Sequence, residues 1–166
     1  MDDYIYEWSN TSQEERDLLK KDVSSLDGHM LASMEAEIKG MSDLVTSKID
    51  CLSCANCCKT IPTTFNPEDI TRAAKQLSIS KKELIKRYLI QDLDGTYVTN
   101  ETPCPFLAED NSCKIYAVRP SACASFPHTG RSHFYNRRNA HVANINVCPI
   151  TFHTLSKLML AIKAKN

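Results

Sequence analysis

The sequence predicts a mainly helical, small single domain with an irregular, cysteine-rich loop region that a metal organises. An apolar stripe of helical period over residues 13–48, and two capped segments after it, predict the helices. Residues 102–149 predict the loop region, because they have little periodicity and carry four of the eight cysteines. We divide the chain into an N-terminal amphipathic helical segment, 1–49, and a cysteine-cluster metal-chelating domain with a closing C-terminal helix, 50–166.

The length and charge of the chain limit the classes of function that it could have. The 166 residues suit one domain, and Lys plus Arg balance Asp plus Glu at 20 each, which argues against a general nucleic-acid or membrane-surface binder. The start of the chain lacks the features of a secretory signal, and no run of about 18 apolar residues predicts a transmembrane helix. We therefore expect a cytoplasmic protein. Thiols stay reduced there, so clustered cysteines bind metals or catalyse more often than they form disulfides.

The first predicted helix is long and amphipathic. Gly28 and Gly40 weaken it and mark points where it could bend or break. We expect its apolar stripe to pack on the core, with a dimerisation surface as the alternative. The stripe recurs at three- and four-residue steps through Leu19, Val23, Leu26, Met30, Met34, Ile38, Met41 and Val45.

Two short helices are predicted next, joined by a tight turn. The first, over 67–77, has Asn66 as a cap and Pro67 at its first helical position. The second, over 81–90, begins with Ser80 in a capping box. Such a pair could be a DNA-reading helix-turn-helix, but the net-neutral chain favours a plain helical hairpin.

The rest of the chain is less regular. Asp-Gly in "DLDGTYVTNE", followed by β-prone residues, predicts a short strand or hairpin. The segment 102–149 is rich in Pro, Asn and Ser, and a loop region of this length needs something to organise it. A closing helix is predicted in "PITFHTLSKLMLAIKAK", with its inward face formed by Phe152, Leu155, Leu158, Met159 and Ile162.

The eight cysteines are the candidate metal ligands. Four form C-x2-C-x2-C-C in "CLSCANCC", and four are spread over the irregular region. Thiolates suit zinc and iron–sulfur centres, and a two-residue spacer lets a turning loop aim two sulfurs at one metal. The candidates are Cys51, Cys54, Cys57, Cys58, Cys104, Cys113, Cys123 and Cys148.

The pattern leaves the metal open between an iron–sulfur cluster and Zn²⁺. The run is like the start of the bacterial ferredoxin pattern, C-x2-C-x2-C-x3-C-P, and Cys104 and Cys148 each precede a proline as its closing cysteine does. The adjacent fourth cysteine departs from that pattern, and four-cysteine zinc sites accept many spacings.

The adjacent pair bears on the number of centres. In an extended chain Cys57 and Cys58 would point to opposite faces. We therefore expect Cys51, Cys54 and Cys57 to serve one centre and Cys58 to face elsewhere. Two four-cysteine centres, and one centre with spare thiols, both stay open.

Other uses of these residues fit less well. The cysteines could be inert buried thiols, disulfides, or a nucleophile paired with a histidine. His128, His133, His141 and His153 lie near the distal cysteines, and any could be a ligand, although single histidines more often have ordinary polar roles. The stretch "RSHFYNRRN", 131–139, could contact phosphate, although a solvated loop is the commoner use of such a stretch.

Four blocks in order carry a family resemblance. "CLSCANCC", "NPEDITRAAKQLSISKKELIKRYL", "CPFL" with "CKIYAVRPSACASFP", and a final "CP" together resemble the YkgJ-type cysteine-cluster family, CxxCxxCC, over roughly residues 50–150. The domain of this family is described as zinc- or iron-chelating. The resemblance implies metal chelation by the eight cysteines. Members are often labelled iron–sulfur oxidoreductases, and a related flagellin lysine methylase carries a similar run with an iron–sulfur centre.

One block departs from the family. Where the family usually has C-R-x-F/Y-P, this chain has Cys123-Ala124-Ser125-Phe126-Pro127, so the arginine is missing, while Arg119 in "VRP" is present. This departure weakens any enzymatic role carried over, and no catalytic residue and no substrate can be named.

We therefore expect a metal-binding protein whose cysteines chelate an iron–sulfur cluster or zinc, with a redox role under the first option. The alternatives are a structural zinc domain that serves as an interaction module, and an iron–sulfur-dependent modifying enzyme. A metal ion or cluster is the one partner that the residues indicate. Neither nucleic acid nor a membrane is expected, and no protein partner can be named.

Overall fold

A computed structural model describes residues 3–165. It is 62% helical and 6% strand, which confirms the mainly helical prediction. Contacts divide the chain into two compact units, which we call the terminal unit, Met1–Cys51 with Pro127–Asn166, and the central unit, Leu52–Phe126. The predicted domain boundary after residue 49 stays a prediction.

The terminal unit is a set of helices around one apolar core. Its helices are α1 (Asp3–Asn10), α2 (Gln13–Ser24), α3 (Gly28–Ser33), α4 (Glu35–Thr46), α10 (Arg138–Asn144) and α11 (Pro149–Lys165). A 3₁₀ turn, Phe134–Arg137, precedes α10. Helix α11 packs against α4, α1 and α2, so the closing helix lies on the N-terminal ones. The core contains Val23, Leu31, Met34, Ile38, Phe134, Ile145, Leu155, Leu158 and Ile162.

This core confirms the predicted inward faces, with one correction. The segment predicted as a long helix over 13–48 is three helices. Asp27 begins α3 by accepting a hydrogen bond from the backbone N–H of Met30 at 3.0 Å. A Cβ atom at Gly28 would lie 2.8 Å from the ring of Tyr135, so a larger residue at this break would displace that side chain. Gly40, by contrast, lies inside α4 with no atom near its missing side chain.

A buried arginine fixes the first two helices. Arg16 donates to the carbonyl of Trp8 and lies over the Trp8 ring at 4.8 Å. Trp8 in turn donates from its indole nitrogen to the carbonyl of Ile145 at 3.0 Å. These contacts hold α1 and α2 on the turn that follows α10.

The central unit combines short helices with a small sheet. Its helices are α6 (Asn56–Thr60), α7 (Pro67–Gln76), α8 (Lys81–Tyr88) and α9 (Ser121–Ser125), and α5 (Cys51–Cys54) leads into it. The antiparallel strands β1 (Thr64–Phe65), β2 (Leu89–Gln91) and β3 (Tyr97–Thr99) follow the order β1-β3-β2. The core contains Phe65, Ile70, Ala73, Ala74, Leu84, Leu89, Phe106 and Ile115.

The predicted capped helices are confirmed, with earlier ends. The Asn66 side chain accepts from the N–H of Asp69 at 2.7 Å, and the Ser80 side chain accepts from the N–H of Glu83 at 3.1 Å. The hairpin prediction is also confirmed, since Gln91 pairs with Tyr97 across the Asp-Gly turn.

The segment predicted as irregular, 102–149, contains more helix than expected. Besides α9 and α10 it holds two 3₁₀ turns, Tyr116–Val118 and Phe134–Arg137. Within residues 3–165 no single helix has the length and apolar character of a membrane span. The bent pair Phe134–Asn144 and Pro149–Lys165 meets that test only together, across 118°.

Candidate metal centre

The CLSCANCC stretch folds as two short helices around a left-handed residue. Helix α5 ends at Cys54, and α6 begins at Asn56. Ala55 between them has φ 48° and is 3% exposed. Such a backbone is uncommon for alanine, and it reverses the chain within one residue. The first two cysteines of the run therefore lie on one helical turn and the last two on another.

The adjacent cysteines have their sulfurs close together. The Sγ atoms of Cys57 and Cys58 are 4.0 Å apart. Two thiolates on one tetrahedral zinc, with bonds of about 2.3 Å, would be about 3.8 Å apart. The extended geometry assumed for Cys57 and Cys58 is wrong, because α6 is helical and the two sulfurs lie close together, while Cys58 also interacts with distal thiols.

Backbone hydrogen bonds tie Cys58 to two distal cysteines. The N–H of Cys104 donates to the carbonyl of Cys58 at 2.8 Å. The carbonyl of Cys104 accepts from Leu107 at 2.9 Å, and Leu107 forms an antiparallel bridge with Cys113. A single small backbone network therefore holds three cysteines of the central unit.

Another cysteine of the central unit, Cys123, lies on α9. Asp69, which is 2% exposed on α7, accepts from the backbone N–H and the hydroxyl of Ser121 at 3.1 Å each. This carboxylate lies at the start of α9, where it also favours the helix dipole. The Sγ of Cys123, two residues after Ser121, lies 3.0 Å from the hydroxyl of Thr63.

The four thiols Cys58, Cys104, Cys113 and Cys123 interact electrostatically. The Cys57 sulfur, followed by burial, raises the pKa of Cys58. Burial, then Cys58 and the other thiols of the set, raises the pKa of Cys104 and brings that of Cys123 to about 11. Each thiolate disfavours ionisation of the neighbouring thiols, because like charges repel. A bound cation would offset that repulsion.

Two neighbouring side chains, Arg119 and Thr63, lower the pKa of a thiol in this set. Burial is the main cause that raises the pKa of Cys113, while the charge of Arg119 lowers it. The Arg119 guanidinium lies 4.2 Å from the Tyr116 ring centre, which holds it near this thiol. The hydroxyl of Thr63 likewise lowers the pKa of Cys123. Arg119 is thus the arginine that this chain offers to the thiol cluster.

The terminal unit carries two further cysteines. Cys148 is buried just before α11, and its N–H donates to the carbonyl of Asn144 at 2.9 Å. Burial raises its pKa to about 11, the backbone N–H of Thr151 lowers it, and Cys51 raises it further. Cys51 and Cys148 therefore lie within electrostatic range of each other.

The four candidate histidines all lie in the terminal unit. His153 contacts the carbonyl of Tyr4 through Nε2 at 2.7 Å. His141 is buried against Phe134, and His128 and His133 have left-handed backbones. None of these positions is next to a central-unit cysteine in the chain, so the thiols are the better ligand candidates.

The cysteine sulfurs suit a soft metal, although they are not arranged around a common metal position in this structure. In the described part of the chain, no group of three or more cysteine, histidine or acidic side chains is arranged to hold a metal ion. No disulfide links any of the eight cysteines, all of which lie within residues 3–165. The chemistry of the donor set fits zinc or an iron–sulfur cluster, because all its atoms are thiol sulfurs.

A family model covers this region. The model, described as "CxxCxxCC: Putative zinc- or iron-chelating domain", matches residues 50–149, more than half of the chain. The chain belongs to the CxxCxxCC family. All eight cysteines lie inside the matched range, which confirms the resemblance drawn from the four sequence blocks. No curated protein and no solved structure matched the chain.

Sequence reasoning missed the residues that position the CxxCxxCC cysteines. Thr63 has no motif around it, and the motifs that contain Ala55 and Ser121 do not indicate what these two residues do. Asp69 gave a partial signal as an acidic residue in the first turn of α7, but its bond to Ser121 joins residues 52 positions apart.

Proposed function

We propose that this CxxCxxCC protein binds a metal through Cys58, Cys104, Cys113 and Cys123 of the central unit, as Zn²⁺ or an iron–sulfur cluster. The observation that supports the proposal is that these four thiols, from four segments of one compact unit, lie close enough to raise one another's pKa. Four thiolates complete an all-cysteine site. When bound, zinc supplies a rigid cross-link, and an iron–sulfur cluster supplies a one-electron redox centre.

The protein supplies the setting for such a centre. The Thr63 hydroxyl is placed to hydrogen-bond the Cys123 sulfur, and Arg119 offsets negative charge at Cys113. Partners of this kind orient metal ligands and tune their basicity. The thiols must stay reduced to serve as ligands, as they would in the cytoplasm.

Two observations bear on which metal binds. The four proposed ligands come from separate segments, which suits a mononuclear zinc site because four-cysteine zinc sites accept many spacings. Cys104 precedes a proline, as the closing cysteine of the ferredoxin pattern does, which favours the iron–sulfur alternative, with a redox role.

Metal and sulfide analysis of anaerobically purified protein, with its visible spectrum, tests the proposal. Zinc in colourless protein supports the zinc centre, and iron with acid-labile sulfide and broad visible absorption supports the cluster. Protein that holds neither metal, after expression with both supplied, would overturn the proposal.

Substitutions then locate the centre. Cys104→Ser and Cys58→Ser should each remove most of the metal of the central unit, because each deletes one of four ligands. Ser125→Ala, on the same helix as Cys123, is the matched control and should keep its metal. Equal metal content in Cys104→Ser and Ser125→Ala would show that the metal lies elsewhere.

A further inference from the structure

The terminal unit contains a histidine whose ring has no polar partner. His141 on α10 is 0% exposed, and neither Nδ1 nor Nε2 has a hydrogen-bond partner. The Phe134 ring stacks on it, with the ring centres 4.4 Å apart and the planes 19° from parallel. A buried polar group without a partner costs free energy, so it needs a reason.

The nearby Arg137 shares this feature. Its Nε is buried and also lacks a partner, while its Nη2 donates to the carbonyl of Ser132. Within residues 3–165, five buried side-chain polar atoms lack partners, and three of them belong to Arg137 and His141. The unused hydrogen-bonding capacity is therefore concentrated at one place, where the 3₁₀ turn meets α10.

Two more basic groups approach the same place. Burial first, and then the charges of Arg131 and Arg137, lowers the pKa of His128. Burial first, and then Arg137 and His128, lowers the pKa of His141. The positive groups thus disfavour protonation of the two histidines, as expected where several basic side chains lie close together.

Two carboxylates of the terminal unit, those of Glu35 and Asp43, are engaged in other contacts. Glu35 accepts from the backbone N–H of Phe134 at 2.8 Å. Asp43, which would lie 3.5 Å from a Cβ atom at Gly130, pairs with Lys39 at 2.5 Å. Neither carboxylate is among the groups that shift the pKa of His128 or His141. In the described part of the chain, Arg137 Nε and the His141 ring therefore have no carboxylate partner.

We propose that Arg137 and His141, with His128 and Arg131 beside them, form a binding site for a phosphate-type oxyanion. The anion would accept hydrogen bonds from Arg137 Nε and from one N–H of the His141 ring. Arginine is a strong donor to such oxygens, and a neutral imidazole donates through its single N–H. Arg131 is exposed and Arg137 is half-buried, so the basic cluster extends from the buried His141 ring towards the surface. This site is independent of the proposed metal centre.

Calorimetric titration of the full-length chain with sodium phosphate, in a chloride buffer without oxyanions, tests this site. We expect saturable binding with one phosphate per chain, and movement of the His141 imidazole resonances in NMR spectra, which the His141→Gln spectrum identifies. Adenosine monophosphate in place of phosphate distinguishes a phosphomonoester ligand from the inorganic ion. Absence of both heat and resonance shift at millimolar phosphate would overturn the proposal.

Variants separate this site from general charge attraction. Arg137→Gln should weaken phosphate binding at least about tenfold, because it removes a charge-assisted hydrogen bond. Arg87→Gln removes the same charge from an exposed helix of the central unit and should bind as the unmodified chain does. If Arg137→Gln does not fold, the exposed Arg131→Gln replaces it, with a smaller loss expected. Equal affinities in the site variant that folds and in Arg87→Gln would contradict the site.

Discussion

At the residue scale, the burial of His141 should make stability depend on pH. Its pKa falls from 6.5 to about 4 in the folded chain, because burial and then Arg137 and His128 disfavour its charged form. Between these values the unfolded chain binds a proton that the folded chain does not. Stability should therefore decrease as pH falls from about 6.5 to about 4, and this effect should level off below. The loss should approach about 3 kcal/mol.

Urea unfolding in chloride buffers across this range measures the effect. Other groups also titrate there, so the informative quantity is the difference between the unmodified chain and His141→Gln, which has no imidazole to protonate. The variant should show a shallower slope of unfolding free energy against pH. Parallel slopes in the two proteins would mean that His141 takes up its proton as readily folded as unfolded.

At the element scale, the buried carboxylate of Asp69 joins α7 to α9. It accepts hydrogen bonds from Asn66, Arg72 and Ser121, so one side chain serves the start of two helices. Asp69→Asn removes the charge that strengthens these bonds. We expect it to reduce the free energy of unfolding by about 2 kcal/mol, since hydrogen bonds to charged groups contribute about 1.5–3 kcal/mol each.

Glu68→Gln is the matched control for Asp69→Asn, because Glu68 is an exposed carboxylate in the same turn. It should change stability by less than about 0.5 kcal/mol. Chemical denaturation compares the two variants. The rate of Cys123 alkylation in metal-depleted protein should also rise in Asp69→Asn, since α9 loses its link to α7. Equal stabilities would mean that Asp69 does not fix α9.

The elements that the sequence predicts well are those with local signals. Asn66 and Ser80 cap helices by accepting hydrogen bonds from residues three positions away, and the Asp-Gly hairpin closes over a few residues. The residues that form each structure are therefore close together in the sequence. The helix predicted over 13–48 breaks where Asp27 caps α3, and the packing at this break also involves a distant residue. Gly28 packs on Tyr135, more than 100 positions along the chain, and periodicity does not report such a contact.

The candidate metal site likewise has features that local sequence predicts and features that depend on distant contacts. The identity of the ligand candidates follows from the CxxCxxCC run, because thiol number and spacing are local. The grouping of Cys58 with distal cysteines depends on α6 being helical, and on contacts such as Thr63 with Cys123, 60 positions apart. An extended chain at Cys57 and Cys58, as expected from the sequence, predicts neither the helical α6 nor the contact of Thr63 with Cys123.

At the scale of the whole molecule, the two units differ in what holds them. The terminal unit packs the 17-residue α11 against the N-terminal helices, whereas the central unit has short helices, two- and three-residue strands and a thiol cluster. The central unit spans about 75 residues. Units of this size have modest cores, and a bound metal contributes directly to their folding.

Removal of the metal should therefore loosen the central unit more than the terminal unit. After chelation under reducing conditions, hydrogen exchange in peptides covering 104–126 should accelerate by at least about tenfold, because the segment loses the ligand bonds that organise it. Peptides of α2 and α4 are the internal control and should change little, since apolar packing holds them. Mass spectrometry of both sets in one sample makes the comparison direct. Uniform acceleration across the chain would instead indicate that one metal-dependent folding unit includes the terminal helices.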